Sequence, residues 1–300
     1  MTAFISDLRS RVPGLVMRER VGMSDYTTFR IGGPADLMVE PQTPEQLEIV
    51  WKLTKEHGIP VYILGGGSNM LVADEGLRGA VIRLTGLSGV TAADGTVKAQ
   101  CGAKLSKLAA VACGAELAGL EFSAGIPGTA GGAVFMNAGA YGGEMSGVVT
   151  RTVYLGKDGE YRELNGDEHQ FGYRASFFAA NPGNLIVETE LKLADGNQAD
   201  IKDKMDELAE KRRAKQPMSK SSAGSVFKRP EGHYAGALVE QCGLKGVFVG
   251  GAMVSEKHAG FIVNIGGATC ADVLKLIELI QKTVLTKTGI LLEPEIKVVK

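Results

Sequence analysis

Two glycine-rich stretches of this chain could bind a phosphate-bearing ligand through backbone groups. The longer stretch, Phe122 to Gly143, reads FSAGIPGTAGGAVFMNAGAYGG and contains no charged residue. The shorter stretch, Leu64 to Asn69, reads LGGGSN. Glycine reaches positive φ cheaply and has no Cβ to keep a ligand away, so successive N–H groups can converge on one anion. Such residues could hold a pyrophosphate without a nearby Lys or Arg.

Tight turns and close strand packing would explain either stretch alone equally well, because short glycine motifs often arise by chance. The shorter stretch, however, directly follows an apolar strand predicted at Val61–Leu64, which is a common position for a ligand-binding loop. It is not a Walker A loop, since no Gly-Lys-[Ser/Thr] follows, and Met70 breaks the Rossmann glycine spacing. Two such stretches in one chain favour ligand binding over packing.

Several charged side chains could meet an anionic substrate, although each also has a simpler explanation. Arg174 stands beside Tyr173 and could form a structural ion pair or hold a carboxylate in a bidentate fork. The segment from Lys211 to Arg229 holds seven cations and no acid, which is typical of a solvated helix end. Lys228 and Arg229 follow a separate turn and apolar run, and they could bind a second anion. A surface carboxylate is the default interpretation of Glu295.

Composition and length limit the classes of protein to consider. At 300 residues the chain exceeds one ordinary core, so two or three domains are expected. A net charge of −1 gives no general attraction to nucleic acid or anionic membranes. The four cysteines lack the CxxC spacing of zinc sites, so no metal site or disulfide framework is predicted. We expect a cytoplasmic protein without a signal peptide or membrane-spanning segment.

The elements that must position these residues can be predicted in outline. Thr43, Pro44 and Gln46 form a helix start with Thr as N-cap and Pro at the first position. A charged helix is predicted over Ala199–Lys215. Strands are predicted over Gly246–Val254 and over Ile290–Val299.

Six motifs occur in an order that resembles the UDP-N-acetylenolpyruvoylglucosamine reductase (MurB) family of cell-wall precursor synthesis. The resemblance covers the chain from about Ser24 to Val299. The motifs are GGGSNML, SAGIPGTAGGAVFMNAGAYG, YRASFF, GSVFKRP, HAGFIVN and LLEPEIKVV.

The resemblance implies an α+β fold with a two-part FAD-binding module of the vanillyl-alcohol-oxidase (PCMH) type and a C-terminal α/β substrate domain. The expected divisions are residues 1–85 and 86–195 for the two FAD-binding subdomains and 196–300 for the substrate domain. The last strand is expected to be able to return to the FAD-binding module.

The resemblance also implies the reaction and its reagents. NADPH reduces non-covalently bound FAD, which then reduces UDP-N-acetylglucosamine enolpyruvate to UDP-N-acetylmuramate. Ser225 is implied as the proton donor, and Arg174 and Glu295 as the pair that stabilises the enolate. The residues implied to contact FAD lie mostly in the two glycine-rich stretches: Gly65, Gly66, Gly67, Ser68, Asn69, Ser123, Ala124, Gly125, Pro127, Gly128, Gly131, Gly132, Asn137, Gly139, Ala140 and, outside them, Arg212.

The chain departs from longer family members because no inserted loop with a substrate-clamping Tyr separates Arg174 from Ser225. It resembles the shorter subtype, in which Lys228 and Arg229 are the candidates for contacting the substrate diphosphate. His258 and Asn264 lie in a family motif and are expected to be structural. We expect a monomer or weak oligomer that does not bind nucleic acid. The alternatives are a related flavin oxidase that uses O₂ and a non-catalytic nucleotide-binding protein.

Overall fold

The structure is a computed structural model that describes all 300 residues, Met1 to Lys300. The α-helices are α1 (Thr2–Arg11), α2 (Pro44–Glu56), α3 (Leu105–Gly114), α4 (Ala130–Met136), α5 (Phe177–Ala180), α6 (Gln198–Lys215), α7 (Ala235–Gln241) and α8 (Cys270–Thr288). None of these helices combines the length and apolar character needed to cross a bilayer.

The strands are mostly short, and several contain only two or three residues. They are β1 (Val16–Gly22), β2 (Pro34–Glu40), β3 (Val61–Leu64), β4 (Met70–Val72), β5 (Leu77–Arg83), β6 (Val90–Ala93), β7 (Thr96–Gln100), β8 (Leu117–Ala118), β9 (Gly139–Ala140), β10 (Gly143–Glu144), β11 (Val149–Leu155), β12 (Tyr161–Asn165), β13 (Leu185–Lys192), β14 (Ala194–Asp195), β15 (Phe248–Val249), β16 (Ala252–Val254), β17 (Ile262–Asn264) and β18 (Lys297–Val299).

The chain forms two compact units, each with its own apolar core. The first comprises residues 1–19, 37–66 and 79–211, and the second comprises residues 20–36, 67–78 and 212–300. This division into two units does not test whether residues 1–195 form two FAD-binding subdomains, which stays a prediction.

The first unit is built on an antiparallel sheet with strand order β12-β11-β13-β7-β6. Its core includes Trp51 of α2, whose indole N–H donates to the Gly156 carbonyl oxygen at 2.8 Å. Helix α2 begins as predicted, because the Thr43 side chain accepts a hydrogen bond from the Gln46 N–H and Pro44 occupies the first turn. Strand β3 runs parallel to β5 and delivers the shorter glycine-rich stretch at its carboxyl end.

The second unit contains the three-stranded sheet β15-β16-β17 and helix α8. Thr269 caps α8, since its side chain accepts from the Asp272 N–H while the Asp272 carboxylate accepts from the Thr269 N–H. Strand β18 pairs in parallel with β4, so the C-terminal end of the chain joins the strand that follows the shorter glycine-rich stretch.

Helix α6 agrees with the prediction to within one residue, but two predicted strands are wrong in extent. The stretch 246–254 is a hairpin of β15 and β16 rather than one strand, because Gly250 at φ 54° and Gly251 form a two-residue turn. The stretch 290–299 is a regular strand only over β18. Pro294 has no N–H to donate and restricts the residue before it, so the preceding segment makes isolated pairings instead.

Candidate functional site

The two glycine-rich stretches contact each other within the first unit. A Cβ at Gly65 would lie 2.5 Å from the Thr129 hydroxyl oxygen, and one at Gly66 would lie 3.1 Å from the Gly128 Cα. Real Cβ atoms essentially never approach other atoms as closely as 2.5 Å. The absence of side chains at Gly65 and Gly66 is therefore what lets strand β3 end against the longer stretch.

Thr129 is a residue that sequence reasoning missed. Its side chain is 2% exposed, and its hydroxyl oxygen has no hydrogen-bond partner within the protein. Buried polar groups in native proteins nearly always have a partner, which can be a ligand or an ordered water. The unpartnered hydroxyl therefore marks a position where a bound molecule could complete the hydrogen bonding. A single Thr within a glycine-rich run gives no sequence signal of this kind.

Unlike Thr129, several residues of the longer stretch that were predicted to contact the cofactor have bonding or packing partners within the protein. The Ser123 hydroxyl is buried and donates to the Leu120 carbonyl oxygen at 2.7 Å. The Gly131 N–H donates to the Cys101 carbonyl oxygen at 2.8 Å, and a Cβ at Gly131 would lie 2.9 Å from the Cys101 Cβ. Gly139 and Ala140 form β9, which pairs with β10. These contacts hold the stretch in shape.

Arg174 lies at the tip of a tight turn that packs against this stretch. Gly172 and Ala175 exchange two backbone hydrogen bonds of 3.1 Å, which leaves Tyr173 and Arg174 between them. Arg174 has φ 54°, a conformation that is uncommon for residues other than Gly, Asn and Asp. Its guanidinium donates to the Gly139 carbonyl oxygen at 3.3 Å and the Asn137 carbonyl oxygen at 3.5 Å.

Ser225 and Glu295 lie on neighbouring segments of the second unit. Ser225 pairs with Phe261 in an isolated bridge, and the adjacent Val226 accepts a 2.7 Å hydrogen bond from the Glu295 N–H through its carbonyl oxygen. Ser225 is partly buried, as is Glu295. The structure therefore brings together two of the three residues that the resemblance assigns to catalysis, and it places Arg174 in the other unit.

The rest of the shorter stretch belongs to this second unit. Gly67 has φ 62°, and a Cβ there would lie 2.1 Å from the Tyr26 carbonyl oxygen, so only glycine fits. Ser68 follows it. The Asn69 amide donates to the Glu295 carbonyl oxygen at 3.4 Å, and the Asn69 carbonyl oxygen accepts from the Lys297 N–H at 3.0 Å. Asn69 thus links the end of the glycine loop to the segment that carries Glu295.

The predicted anion-binding cations make contacts with other side chains. The Lys228 ammonium lies 2.5 Å from the Glu293 carboxylate. The Arg229 guanidinium stacks on the Tyr234 ring with its carbon 4.1 Å from the ring centroid. The Arg212 Nε donates to the Gln216 side-chain oxygen at 2.9 Å. A substrate anion at Lys228 would therefore compete with Glu293.

The side chains of His258 and Asn264 form hydrogen bonds with backbone groups. The Gly260 N–H donates to His258 Nδ1 at 3.1 Å, and burial lowers the pKa of this imidazole. The Asn264 amide donates to the Phe29 carbonyl oxygen at 3.1 Å, while its oxygen accepts from the Gly266 N–H at 2.9 Å. These contacts agree with the structural interpretation of both residues.

Comparison with known proteins gives two family matches along the chain. The family described as FAD binding domain matches residues 35–165. The family described as UDP-N-acetylenolpyruvoylglucosamine reductase, C-terminal domain, matches residues 216–299. The predicted fold class, an FAD-binding module of the PCMH type followed by a C-terminal domain, is confirmed.

Individual relatives match over nearly their whole length. UDP-N-acetylenolpyruvoylglucosamine reductase of Clostridioides difficile is 48% identical over 92% of this chain and 91% of its own. The enzyme of the same name from Clostridium tetani is 43% identical over 99% of this chain and 96% of its own. The crystal structure of MurB from Thermus caldophilus aligns with a TM-score of 0.80 at 38% identity, covering 95% of this chain and all of that one.

Proposed function

The chain belongs to the UDP-N-acetylenolpyruvoylglucosamine reductase (MurB) family, and from that premise we propose that it reduces UDP-N-acetylglucosamine enolpyruvate to UDP-N-acetylmuramate. NADPH is the reductant and FAD the bound cofactor. The observation that carries the proposal is the full-length match to enzymes of this name together with an FAD-binding domain.

The residues of the first unit fit FAD. Gly65 and Gly66 pack closely against Thr129 and Gly128, and the buried Thr129 hydroxyl there has no protein partner. A dinucleotide pyrophosphate accepts hydrogen bonds from such N–H and O–H groups. We propose that Gly65, Gly66, Gly128 and Thr129 contribute to holding it. FAD, when bound, supplies the hydride chemistry that the amino-acid side chains cannot.

The polar side chains stabilise the charge that develops on the substrate and supply its proton. Reduction of an enolpyruvyl group develops negative charge towards its carboxylate, and the Arg174 guanidinium stabilises that charge because it is held in place beforehand. Glu295 acts with Arg174 on the enolate. Ser225 donates the proton that completes the lactyl ether, and because serine is a weak acid, the transfer depends on close positioning against a basic carbon.

We also propose where the enzyme works, its oligomeric state and which further residues contact its ligands. The enzyme works in the cytoplasm on a sugar nucleotide and NADPH, as a monomer or weak oligomer. Lys228 and Arg229 contact the substrate diphosphate, with Lys228 exchanging its Glu293 partner for the ligand, and Arg212 contacts the flavin phosphates. The remaining residues implied to contact FAD line its binding surface, except Asn137, whose side chain is 1% exposed and bonded to Gly172 and Ser146.

An absorption spectrum of the purified protein, followed by anaerobic NADPH titration and addition of the sugar nucleotide, tests this function. We expect a yellow protein that NADPH bleaches and the enolpyruvyl substrate recolours. Acid should release the flavin, because the nearby Cys101 is buried and burial raises the pKa of its thiol to about 12, which keeps it unreactive. A colourless protein that binds no FAD, or reduced flavin that only O₂ reoxidises, would refute the proposal.

A further inference from the structure

We infer that the Asn137 side chain is a positioning residue for Arg174. This inference rests on the catalytic role proposed above for Arg174. Asn137 lies in the glycine-rich stretch predicted to contact FAD, but its side-chain amide contacts the turn that presents Arg174.

The Arg174 turn has a backbone conformation that needs support. Among its two central residues, Tyr173 and Arg174, only Arg174 has positive φ. That feature belongs to type II turns, which favour Gly or Asn at this position. Holding a residue other than Gly in this conformation costs free energy. The conformation therefore persists only where several surrounding contacts stabilise it.

Hydrogen bonds between the turn region and residues 135–139 supply those contacts. The Asn137 amide Nδ2 donates at 3.0 Å to the Gly172 carbonyl oxygen, the same oxygen that accepts from the Ala175 N–H to close the turn. After the turn, the Ser176 hydroxyl donates to the Phe135 carbonyl oxygen at 2.7 Å. Residues on both sides of the turn are therefore hydrogen-bonded to the longer glycine-rich stretch. The same stretch accepts the hydrogen bonds of the Arg174 guanidinium.

The amino acid at position 137 fits this role in two respects. It ends helix α4 with φ 44°, a left-handed conformation that Asn tolerates better than most residues. It is 1% exposed, and its oxygen accepts from the Ser146 N–H at 2.8 Å while its nitrogen donates to Gly172. Gly would permit the conformation but lack the donor, and Asp would keep the acceptor but lack the donor.

A fixed turn matters for the reaction because a guanidinium stabilises developing charge best when it needs no reorganisation. Misplacing a catalytic group by about 1 Å can cost about a hundredfold in rate. Asn137 is thereby expected to affect the step that develops charge on the substrate, and to leave reduction of FAD by NADPH unchanged.

The test uses the FAD-loaded Asn137→Gly and Asn137→Asp variants in single-turnover experiments. We expect reoxidation of the reduced enzyme by the sugar nucleotide to slow about tenfold to a hundredfold. Flavin reduction by NADPH, FAD affinity measured by fluorescence titration, and flavin content should stay within about threefold of wild type. The matched control is Asn181→Gly, which removes another amide that bonds a backbone carbonyl, that of Phe177, outside the Arg174 turn.

A double-mutant comparison separates positioning of Arg174 from a general structural effect. If Asn137 acts through Arg174, Asn137→Gly should cause no further slowing in an Arg174→Ala background. Slowing of the same size in both backgrounds would overturn the inference, as would weakened FAD binding with normal reoxidation. If Arg174→Ala itself has no effect, the proposed role of Arg174 fails; if only the Asn137 variants have none, the inference alone fails.

Trypsin provides a readout that does not depend on activity, because it cleaves after Arg174. In the absence of substrate, loosening of the turn should speed cleavage of the Arg174–Ala175 bond in the Asn137 variants relative to other sites, as mapped by mass spectrometry. Unchanged cleavage there, together with unchanged thermal unfolding, would show that the Asn137 amide does not hold the turn.

Discussion

The Glu295 N–H donates to the Val226 carbonyl oxygen at 2.7 Å, and this hydrogen bond ties the C-terminal segment to the segment that carries Ser225. Two further pairings extend it, since Phe227 bridges Pro294 and the Lys228 N–H donates to the Glu293 carbonyl oxygen at 2.8 Å. The backbone therefore sets the separation of Ser225 and Glu295. Substituting either side chain should leave the other in place.

Replacing Ser225 with Ala should stall one half of the reaction. General acid catalysis commonly contributes about a hundredfold to ten-thousandfold in rate, so reoxidation of the reduced flavin by the sugar nucleotide should slow within that range. Reduction by NADPH should proceed normally because it needs no proton from Ser225. Stopped-flow absorbance of the flavin measures both steps. Ser219→Ala, at a nearby exposed position, is the control, and unchanged turnover of Ser225→Ala would remove this residue from the mechanism.

Replacing Thr129 with Val should change the apoprotein and the FAD complex in opposite directions. The Thr129 hydroxyl is buried without a partner, so replacing it with a methyl group of similar shape should leave the apoprotein equally stable or more stable. If FAD supplies the missing partner, its dissociation constant should rise about tenfold or more, since a hydrogen bond to a charged group is worth about 1.5–3 kcal/mol.

Thermal unfolding of the apoprotein and fluorescence titration with FAD measure the two effects of Thr129→Val. Thr129→Ser keeps the hydroxyl and should retain most of the affinity. Equal FAD affinity for wild type and Thr129→Val would mean that the hydroxyl does not contact the cofactor.

Adding a methyl group at Gly66 should weaken FAD binding. The new Cβ would lie 3.1 Å from the Gly128 Cα, and this neighbour is backbone that cannot rotate away. The two glycine-rich stretches would have to separate. We expect at least a tenfold rise in the FAD dissociation constant for Gly66→Ala, measured by titrating the apoprotein.

Gly114→Ala serves as the control for Gly66→Ala, because a Cβ at Gly114 meets nothing within 4 Å. It lies at the end of helix α3, where Ala is the better helix former by up to about 1 kcal/mol. This variant should bind FAD normally. Equal affinity for both variants would contradict the close approach of the two stretches.

The sequence predicted best those features that local chemistry determines. The start of α2 depends on Thr43 and Pro44, whose capping and φ restriction act over one turn. The loop after β3 could be predicted from its glycines. The segment before β18 could not, because its pairings join residues such as Pro294 and Phe227 that are distant in the chain, and Pro294 interrupts the ladder that its apolar neighbours suggest.

The candidate site likewise contains residues that the sequence could predict and contacts that it could not. Motif resemblance selected Ser225, Glu295 and Arg174, although residue spacing alone would have left them among ordinary surface side chains. It could not show that the Thr129 hydroxyl lacks a partner or that the Asn137 amide reaches Gly172, because both depend on which distant segments pack together. Whether a polar group is satisfied is a tertiary property.

The partly buried His258 should make stability depend on pH below neutrality. Burial lowers the pKa of this imidazole, and the nearby Lys245 and Lys215 ammonium groups lower it further while Glu240 opposes them. The folded protein therefore binds a proton less readily than the unfolded chain, whose His has a pKa of about 6.5. The contribution of neutral His258 to the free energy of unfolding is therefore complete above the pKa of the unfolded chain. It is lost as the pH falls through the lower pKa of His258 in the folded protein.

Denaturant unfolding between about pH 5.5 and 7.5, a range that spans the ordinary His pKa, measures this effect as a free energy that falls with decreasing pH. His258→Asn retains an acceptor for the Gly260 N–H but does not titrate, so the slope should become shallower. It should not vanish, because burial also lowers the pKa of His169 and acts in the same direction. His233→Asn, at an exposed position, should keep the wild-type slope. If His258→Asn also keeps the wild-type slope, then protonation of His258 does not contribute to the pH dependence of the free energy of unfolding.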